Sequence, residues 1–211
     1  MKSGKATITL AALAFSGAAA AADFSFTGNL NGPNDVQLFN FSVGAPSTVT
    51  LRSWSYAGGV NAAGTPIARG GFDPILAVFD SGGLRIGEND DASTSAVATD
   101  PVTGRRFDVF LQSPLATGNY VVSVMAYSNF SVGPNLSNGF TGGGSFTDVT
   151  GNLRDSHWAF DILNVNAATS VGQTPTDGPT APVPEPDTYA MMLAGLGILA
   201  FLHRRKKPQS A

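Results

Sequence analysis

The stretch Phe72-Asp73-Pro74-Ile75-Leu76-Ala77-Val78-Phe79-Asp80-Ser81-Gly82-Gly83-Leu84-Arg85-Ile86-Gly87 decides the fold. An apolar run ends in Asp-Ser-Gly-Gly, four residues suited to a tight turn, and apolar residues resume at Leu84. That order reads as strand, turn, strand, a β-hairpin. With Ser81 and Gly82 as a two-residue loop, Asp80 pairs with Gly83, Phe79 with Leu84, Ala77 with Ile86, and Ile75 with Glu88. Asp73 then faces Asp90.

Working outward, the same signals recur. Phe24 and Phe26 alternate with Ser25 and Thr27 in Asp23 to Leu30. Phe39, Phe41 and Val43 share one face of Asp35 to Val43. Val49 and Leu51 share a face of Ser47 to Leu51, while Trp54 and Tyr56 fall in the other phase. A bulge near Ser53 would reconcile them. Arg106 to Leu111 puts Phe107, Val109 and Leu111 together. Tyr120 to Tyr127 is nearly all apolar and reads as a central strand. His157 to Leu163 turns Trp158, Phe160 and Ile162 inward. About eight strands joined by Gly-, Pro- and Asn-rich turns predict an all-β fold, an antiparallel β-sandwich or jelly roll. Gly133 to Gly144 is expected to be a long, flexible loop.

Both ends of the chain read differently. Lys2 and Lys5, an apolar stretch from Ala6 to Phe15, and Ala20-Ala21-Ala22 have the layout of a secretory signal peptide over residues 1–22. The β-sandwich domain is expected over 23–165, and a Pro/Thr-rich linker over 166–182. Thr188 to Leu202 is uncharged and predicts a helix of roughly 22 Å, short against a ~30 Å hydrocarbon core. Arg204, Arg205, Lys206 and Lys207 close the run and belong on the cytoplasmic side, leaving the domain outside.

Between Asp23 and Val183 lie thirteen of the fifteen acidic residues and six of the twelve basic ones, all Arg. A surface of net charge −7 argues against nucleic acid as a partner. It suits cations and neutral, hydroxyl-rich ligands. The chain has no Cys, so its core must hold the exported fold without disulfides.

The best candidate chemistry is acidic. The hairpin register gathers Asp73, Glu88, Asn89, Asp90 and Asp91, and like charges facing one another are destabilising. Ca²⁺, which takes six to eight oxygen ligands, would relieve that repulsion. Trp54 and Tyr56 share a face near a Gly-rich loop and are candidates for stacking on a sugar. Enzyme signatures are weak. In Asp155-Ser156-His157 a strand would turn Ser156 away from its neighbours, and a triad is a matter of geometry rather than adjacency. His157 is the sole His of the domain, which excludes a multi-His zinc site. Glu88 is its sole Glu, and nothing marks a pair of Asp as glycosidase carboxylates. No catalytic residue is expected.

Val183-Pro184-Glu185-Pro186, the apolar run and the basic end together resemble the PEP-CTERM sorting signal of exported bacterial proteins. The resemblance covers about Ala181 to Lys207, with Pro184, Glu185 and Pro186 as the motif. It implies processing by an exosortase and transfer toward the cell surface in bacteria that make exopolysaccharide. A looser likeness covers most of Asp35 to Leu163. Phe72 to Leu84, Glu88-Asn89-Asp90-Asp91 and Gly118-Asn119-Tyr120-Val121-Val122-Ser123-Val124 are similar to bacterial pre-peptidase C-terminal domains. The run Gly133 to Phe140 with His157 to Ile162 resembles uncharacterised PEP-CTERM exported proteins. Those relatives imply a β-sandwich in which some members bind Ca²⁺ or polymers.

The expectation is a non-catalytic envelope or extracellular-matrix protein that binds exopolysaccharide and Ca²⁺. It is a membrane-anchored precursor first and a cell-surface or extracellular protein afterwards. The alternatives are a secreted hydrolase or an accessory module of one, and a purely structural matrix protein.

Overall fold

The computed structural model describes residues 21–92 and 95–171. Most of the expected signal peptide, the linker beyond Val171 and the whole sorting segment, with its membrane helix, lie outside the described residues. No helix among the described residues is long and apolar enough to cross a membrane.

Among the described residues eleven strands form three antiparallel sheets. They are β1 (Ala22–Asn29), β2 (Val36–Val43), β3 (Ser47–Ser53), β4 (Gly59–Val60), β5 (Pro66–Ile67), β6 (Pro74–Asp80), β7 (Arg85–Asn89), β8 (Phe110–Leu115), β9 (Gly118–Ala126), β10 (His157–Val165) and β11 (Ala167–Val171). One sheet has the order β1-β10-β3-β8, the second β11-β2-β9-β6-β7, and β4 pairs with β5 alone. The two larger sheets meet face to face across one core. Phe26, Trp158 and Phe160 from the first sheet surround Phe39 of β2, with ring centroids 4.8, 5.4 and 4.6 Å away. Val49, Leu51 and Ile162 complete that side, and Phe41, Leu76, Val78, Val122 and Val124 the other.

The alternation seen in the sequence builds this core directly, because period two sends every second side chain inward. β6 obeys another rule. Pro74 to Phe79 are all buried, since a second cluster of Ile75, Ala77, Phe79 and Met125 lies on the outer face of its sheet. Phe130, Leu136 and Phe140 roof that cluster. Gly133 to Gly144 is therefore not a free loop. It carries a 3-10 turn at Leu136–Asn138, and backbone hydrogen bonds tie it to the start of β7, Arg85 N–H to Pro134 O, and to the β6–β7 loop, Leu136 N–H to Gly83 O.

Three strand expectations need correction. The eighth strand starts at Phe110, not Arg106. There is no bulge at Ser53: β3 ends there and the chain turns. The domain does not end at Val165, because β11 adds five residues of the expected linker to the edge of the second sheet. Ala167 pairs with Ser42 and Val171 with Leu38.

Register places the connections unevenly. β2–β3, β6–β7, β8–β9 and β10–β11 are joined by short turns at one end. The segments 54–73, 90–109 and 127–156 all gather at the opposite end. Val171, where the described chain leaves toward the sorting segment, lies toward that long-loop end.

Candidate functional site

The acidic constellation forms only in part. The hairpin has a three-residue loop, with Gly83 left-handed at φ 82°. Asp80 N–H donates to Leu84 O, and the Asp80 carboxylate accepts from the N–H groups of Gly82 and Leu84 at 2.9 Å each. This is a turn followed by a glycine bulge. A further bulge between Val78 and Phe79 shifts the ladder again, so Ala77 faces Glu88 and Leu76 faces Asn89. Two slips of one residue thus separate Asp73 from the expected partner Asp90. Glu88 is taken by Arg85 at 2.9 Å and by the backbone N–H of Ser131 at 3.1 Å. Asn89 donates to Phe110 O at 3.3 Å. Among the described residues no three His, Cys, Asp or Glu side chains are grouped to hold a metal. The five-residue Ca²⁺ set is therefore not assembled.

Asp73 itself is unusual. It is 4% exposed, and its Oδ1 has no hydrogen-bond partner among the described residues. Burial raises its pKa to about 9, and the charges of Asp91 and Asp90 push the same way. Burial and the charge of Asp90 lift Asp91 to about 6. A carboxyl that stays protonated at neutral pH removes one negative charge from this end of the sandwich.

Two loops at the long-loop end share one construction that sequence reading missed. In each, a buried Asp accepts from backbone N–H groups of its own turn. Asp100 Oδ1 accepts from Val102 and Thr103 N–H at 2.8 and 2.9 Å. Asp148 Oδ1 accepts from Thr150 and Asn152 N–H at 2.9 and 3.0 Å. Arg154 joins the loops: Nε lies 2.8 Å from Asp148 and Nη1 3.3 Å from Asp100. Its guanidinium also stacks 3.7 Å over the Tyr56 ring, whose hydroxyl donates to Asp148 at 2.8 Å. Burial pushes both carboxyls upward, yet these donors outweigh it. Asp100 falls to about 2 and Asp148 is held below the ordinary carboxylate range. The signal was present: Asp100-Pro101-Val102-Thr103-Gly104 and Asp148-Val149-Thr150-Gly151 repeat one Asp-(Pro)-Val-Thr-Gly pattern.

The aromatic candidates do not form a stacking face. Tyr56 is fully buried beneath Arg154. Arg52 sits 3.7 Å from the Trp54 ring, and a Cβ at Gly59 would lie 2.7 Å from the same ring. Trp54 Nε1 donates at 2.7 Å to Asp161, which also accepts from Ser25 Oγ and Ala62 N–H. Both aromatics thus serve the cover over the sheets. Asp155 contacts the His157 ring, while Ser156 Oγ meets Asn29 at 3.3 Å, so the three do not form a triad.

A different surface is open. A groove of about 480 Å³ crosses β11, β2 and β9 on the outer face of the second sheet, beside Ser81 of the hairpin loop. Pairing lays its side chains in two cross-strand rows, Thr169–Asn40–Val121 and Ala167–Ser42–Asn119. Amides and hydroxyls stand on an apolar floor, with no charged residue in the lining. Such a surface can donate and accept hydrogen bonds at close spacing and offers an ion nothing to pair with.

Residues 182–207 match the PEP-CTERM protein-sorting motif. No curated protein matches the chain, and the likeness of 35–163 to pre-peptidase C-terminal domains gains no support from these comparisons. The motif, covering Pro184, Glu185, Pro186 and the basic end, marks an exported protein handled by an exosortase.

Proposed function

We propose that this chain is the precursor of a cell-surface or extracellular-matrix protein. Thr188 to Leu202 anchors it until an exosortase acts, and its β-sandwich then binds neutral exopolysaccharide without cleaving it. The carrying observation is the uncharged groove over β11, β2 and β9, an amide- and hydroxyl-lined channel on a strongly acidic domain. Hydroxyl-rich chains match its donors and acceptors, and the absence of charge in the lining favours a neutral polymer over an anionic one. This reading does not rest on Ca²⁺, since Glu88 and Asn89 are engaged by Arg85 and by Phe110 O.

Strand order supports a jelly-roll reading of the sandwich. Setting aside β4 and β5 and numbering the remainder one to nine, the sheets run 1-8-3-6 and 9-2-7-4-5. The first eight strands thus follow the two-sheet order of a jelly roll, and β11 is an added edge.

The test is co-sedimentation of the protein with the extracellular polysaccharide of its host, using native protein and Thr169→Arg. Thr169 is exposed, so a long cation there blocks the groove without touching the core. Binding by the native protein, reduced at least about ten-fold in the variant, is expected; a loss of that size is about 1.4 kcal/mol. Equal binding by both proteins rejects the groove. Release of reducing ends rejects the non-catalytic reading in favour of a hydrolase. Self-association with no affinity for the polymer indicates a structural matrix protein.

A further inference from the structure

We infer that the groove over β11, β2 and β9 is built for a sugar polymer that carries acetamido groups, rather than one that carries hydroxyls alone. This names the substrate class of the groove and rests on the binding role proposed above.

The first observation is where the fold leaves amides unspent. Among the described residues five Asn lie in strands: Asn29, Asn40, Asn89, Asn119 and Asn164. Asn is disfavoured in strands, because its short side chain competes for backbone hydrogen bonds. Three of the five are engaged within the domain. Asn29 accepts from Ser156 Oγ at 3.3 Å, Asn89 donates to Phe110 O at 3.3 Å, and Asn164 donates to Thr48 O at 3.1 Å. Asn40 and Asn119 make no side-chain hydrogen bond among the described residues, and these two line the groove. Both are exposed. Asn40 stands between Phe39 and Phe41 in the middle of β2, an unfavourable place for Asn that no internal bond offsets.

Register is the second observation. Asn40 pairs with Val121 and Ser42 with Asn119. All four side chains line the groove, so they form the corners of one patch. The two amides occupy one diagonal, and Val121 and Ser42 the other. Diagonal neighbours of an antiparallel pair stand about 7–8 Å apart. With a hydrogen bond of about 2.9 Å on each side, one small planar group fits between the amides.

An acetamido group has the matching layout. It is a planar, trans secondary amide, so its C=O and N–H point in opposite directions. Its methyl and the sugar ring occupy the two remaining corners. Laid flat on the patch, its C=O accepts from one Asn amide while its N–H donates to the carbonyl oxygen of the other. The methyl then rests on Val121, and the ring lies over Ser42, whose hydroxyl serves a ring hydroxyl. A hydroxyl in place of the acetamido group reaches one amide at most and brings no methyl to Val121. The group is also uncharged, as the lining is. Thr169, beside Asn40 on β11, carries the polar row toward the next sugar.

Two hexasaccharides with the same β-1,4 backbone separate the classes: chitohexaose, with an acetamido group on every ring, and cellohexaose, with a hydroxyl in its place. The measurement is calorimetric titration of each into the full chain, held in detergent for its apolar run from Thr188 to Leu202. Chitohexaose should bind at least about ten-fold more tightly, as one or two net hydrogen bonds require. Asn40→Ala and Asn119→Ala, both at exposed positions, should each erase that preference. Thr169→Arg should weaken both sugars. Equal affinities in the native protein, or a preference that survives both Ala variants, overturn the acetamido assignment and leave the groove standing where Thr169→Arg still abolishes binding. Binding of the host polysaccharide without binding of chitohexaose overturns the assignment likewise. A protein that binds neither hexasaccharide nor the host polysaccharide overturns the groove as well.

Discussion

Replacing Asp73 with Asn should make this domain more stable. In the folded chain Asp73 is 4% exposed, its Oδ1 lacks a partner among the described residues, and its pKa is raised to about 9. In the unfolded chain the carboxyl titrates near 3.8. Between those values the folded state carries a proton that the unfolded state has released. Stability from this group is therefore greatest in acid and falls as pH rises through the window from about 4 to about 9. The slope approaches about 1.4 kcal/mol per pH unit. By pH 7 the accumulated cost is about 4 kcal/mol, which an amide of nearly the same shape avoids. Urea denaturation of native and Asp73→Asn proteins at about pH 5 and about pH 7 measures it. The variant should gain a few kcal/mol at the higher pH, much less at the lower one, and show the flatter profile. A variant less stable than the native protein at pH 7 refutes the reasoning. It would mean that the native carboxylate is ionised and satisfied, and calorimetric titration with Ca²⁺ would then identify a cation as its partner.

Three more outcomes follow from the packing. Arg154→Met strands Asp148 as a buried charge, while Asp100 keeps Arg69 at 2.8 Å, and should cost about 3–5 kcal/mol in urea denaturation, whereas Arg105→Ala should shift stability by less than about 0.5 kcal/mol. Asp100, depressed to about 2, contributes stability above about pH 4 that is lost as pH falls toward 2; acid titration followed by circular dichroism should show this slope in the native protein and a weaker one in Asp100→Asn. Gly28→Ala places a Cβ 2.4 Å from Cζ2 of Trp158; the ring must move, and a loss of about 1–3 kcal/mol with an altered near-ultraviolet spectrum is expected.

Where period two governs, residues predict structure well. Phe24 and Phe26, Phe39 to Val43, and Trp158 to Ile162 face the core as their alternation requires, and Tyr120 to Ala126 is a central strand. The hairpin was legible but its register was not. Gly82 and Gly83 can each take a turn position, and only the Asp80 cap and the left-handed Gly83 decide the loop length. One misplaced rung, then a bulge, moved Asp73 away from Asp90. The five Ca²⁺ candidates and the aromatic pair are dispersed for a related reason: a side chain's phase in a strand says nothing once the chain turns at Ser53 or Asn89. The groove is hidden in the sequence because Thr169 and Ala167 fall within the expected linker. Only the pairing of β11 with β2 brings them beside Asn40 and Ser42.

β11 also gives the domain a mechanical character. It runs from the short-turn end toward Val171, and the Gln37 amide fastens Val171 O at 3.0 Å. A pull applied at Val171 would run along the axis of β11, so its five pairings with β2 would bear force together as a lap joint rather than peel one after another. The groove lies across that joint, with Thr169 and Ala167 on one side and Asn40 and Ser42 on the other. The polymer strand proposed to seat there would bridge the seam, and grip on the polymer and strength of the tether would then be one property.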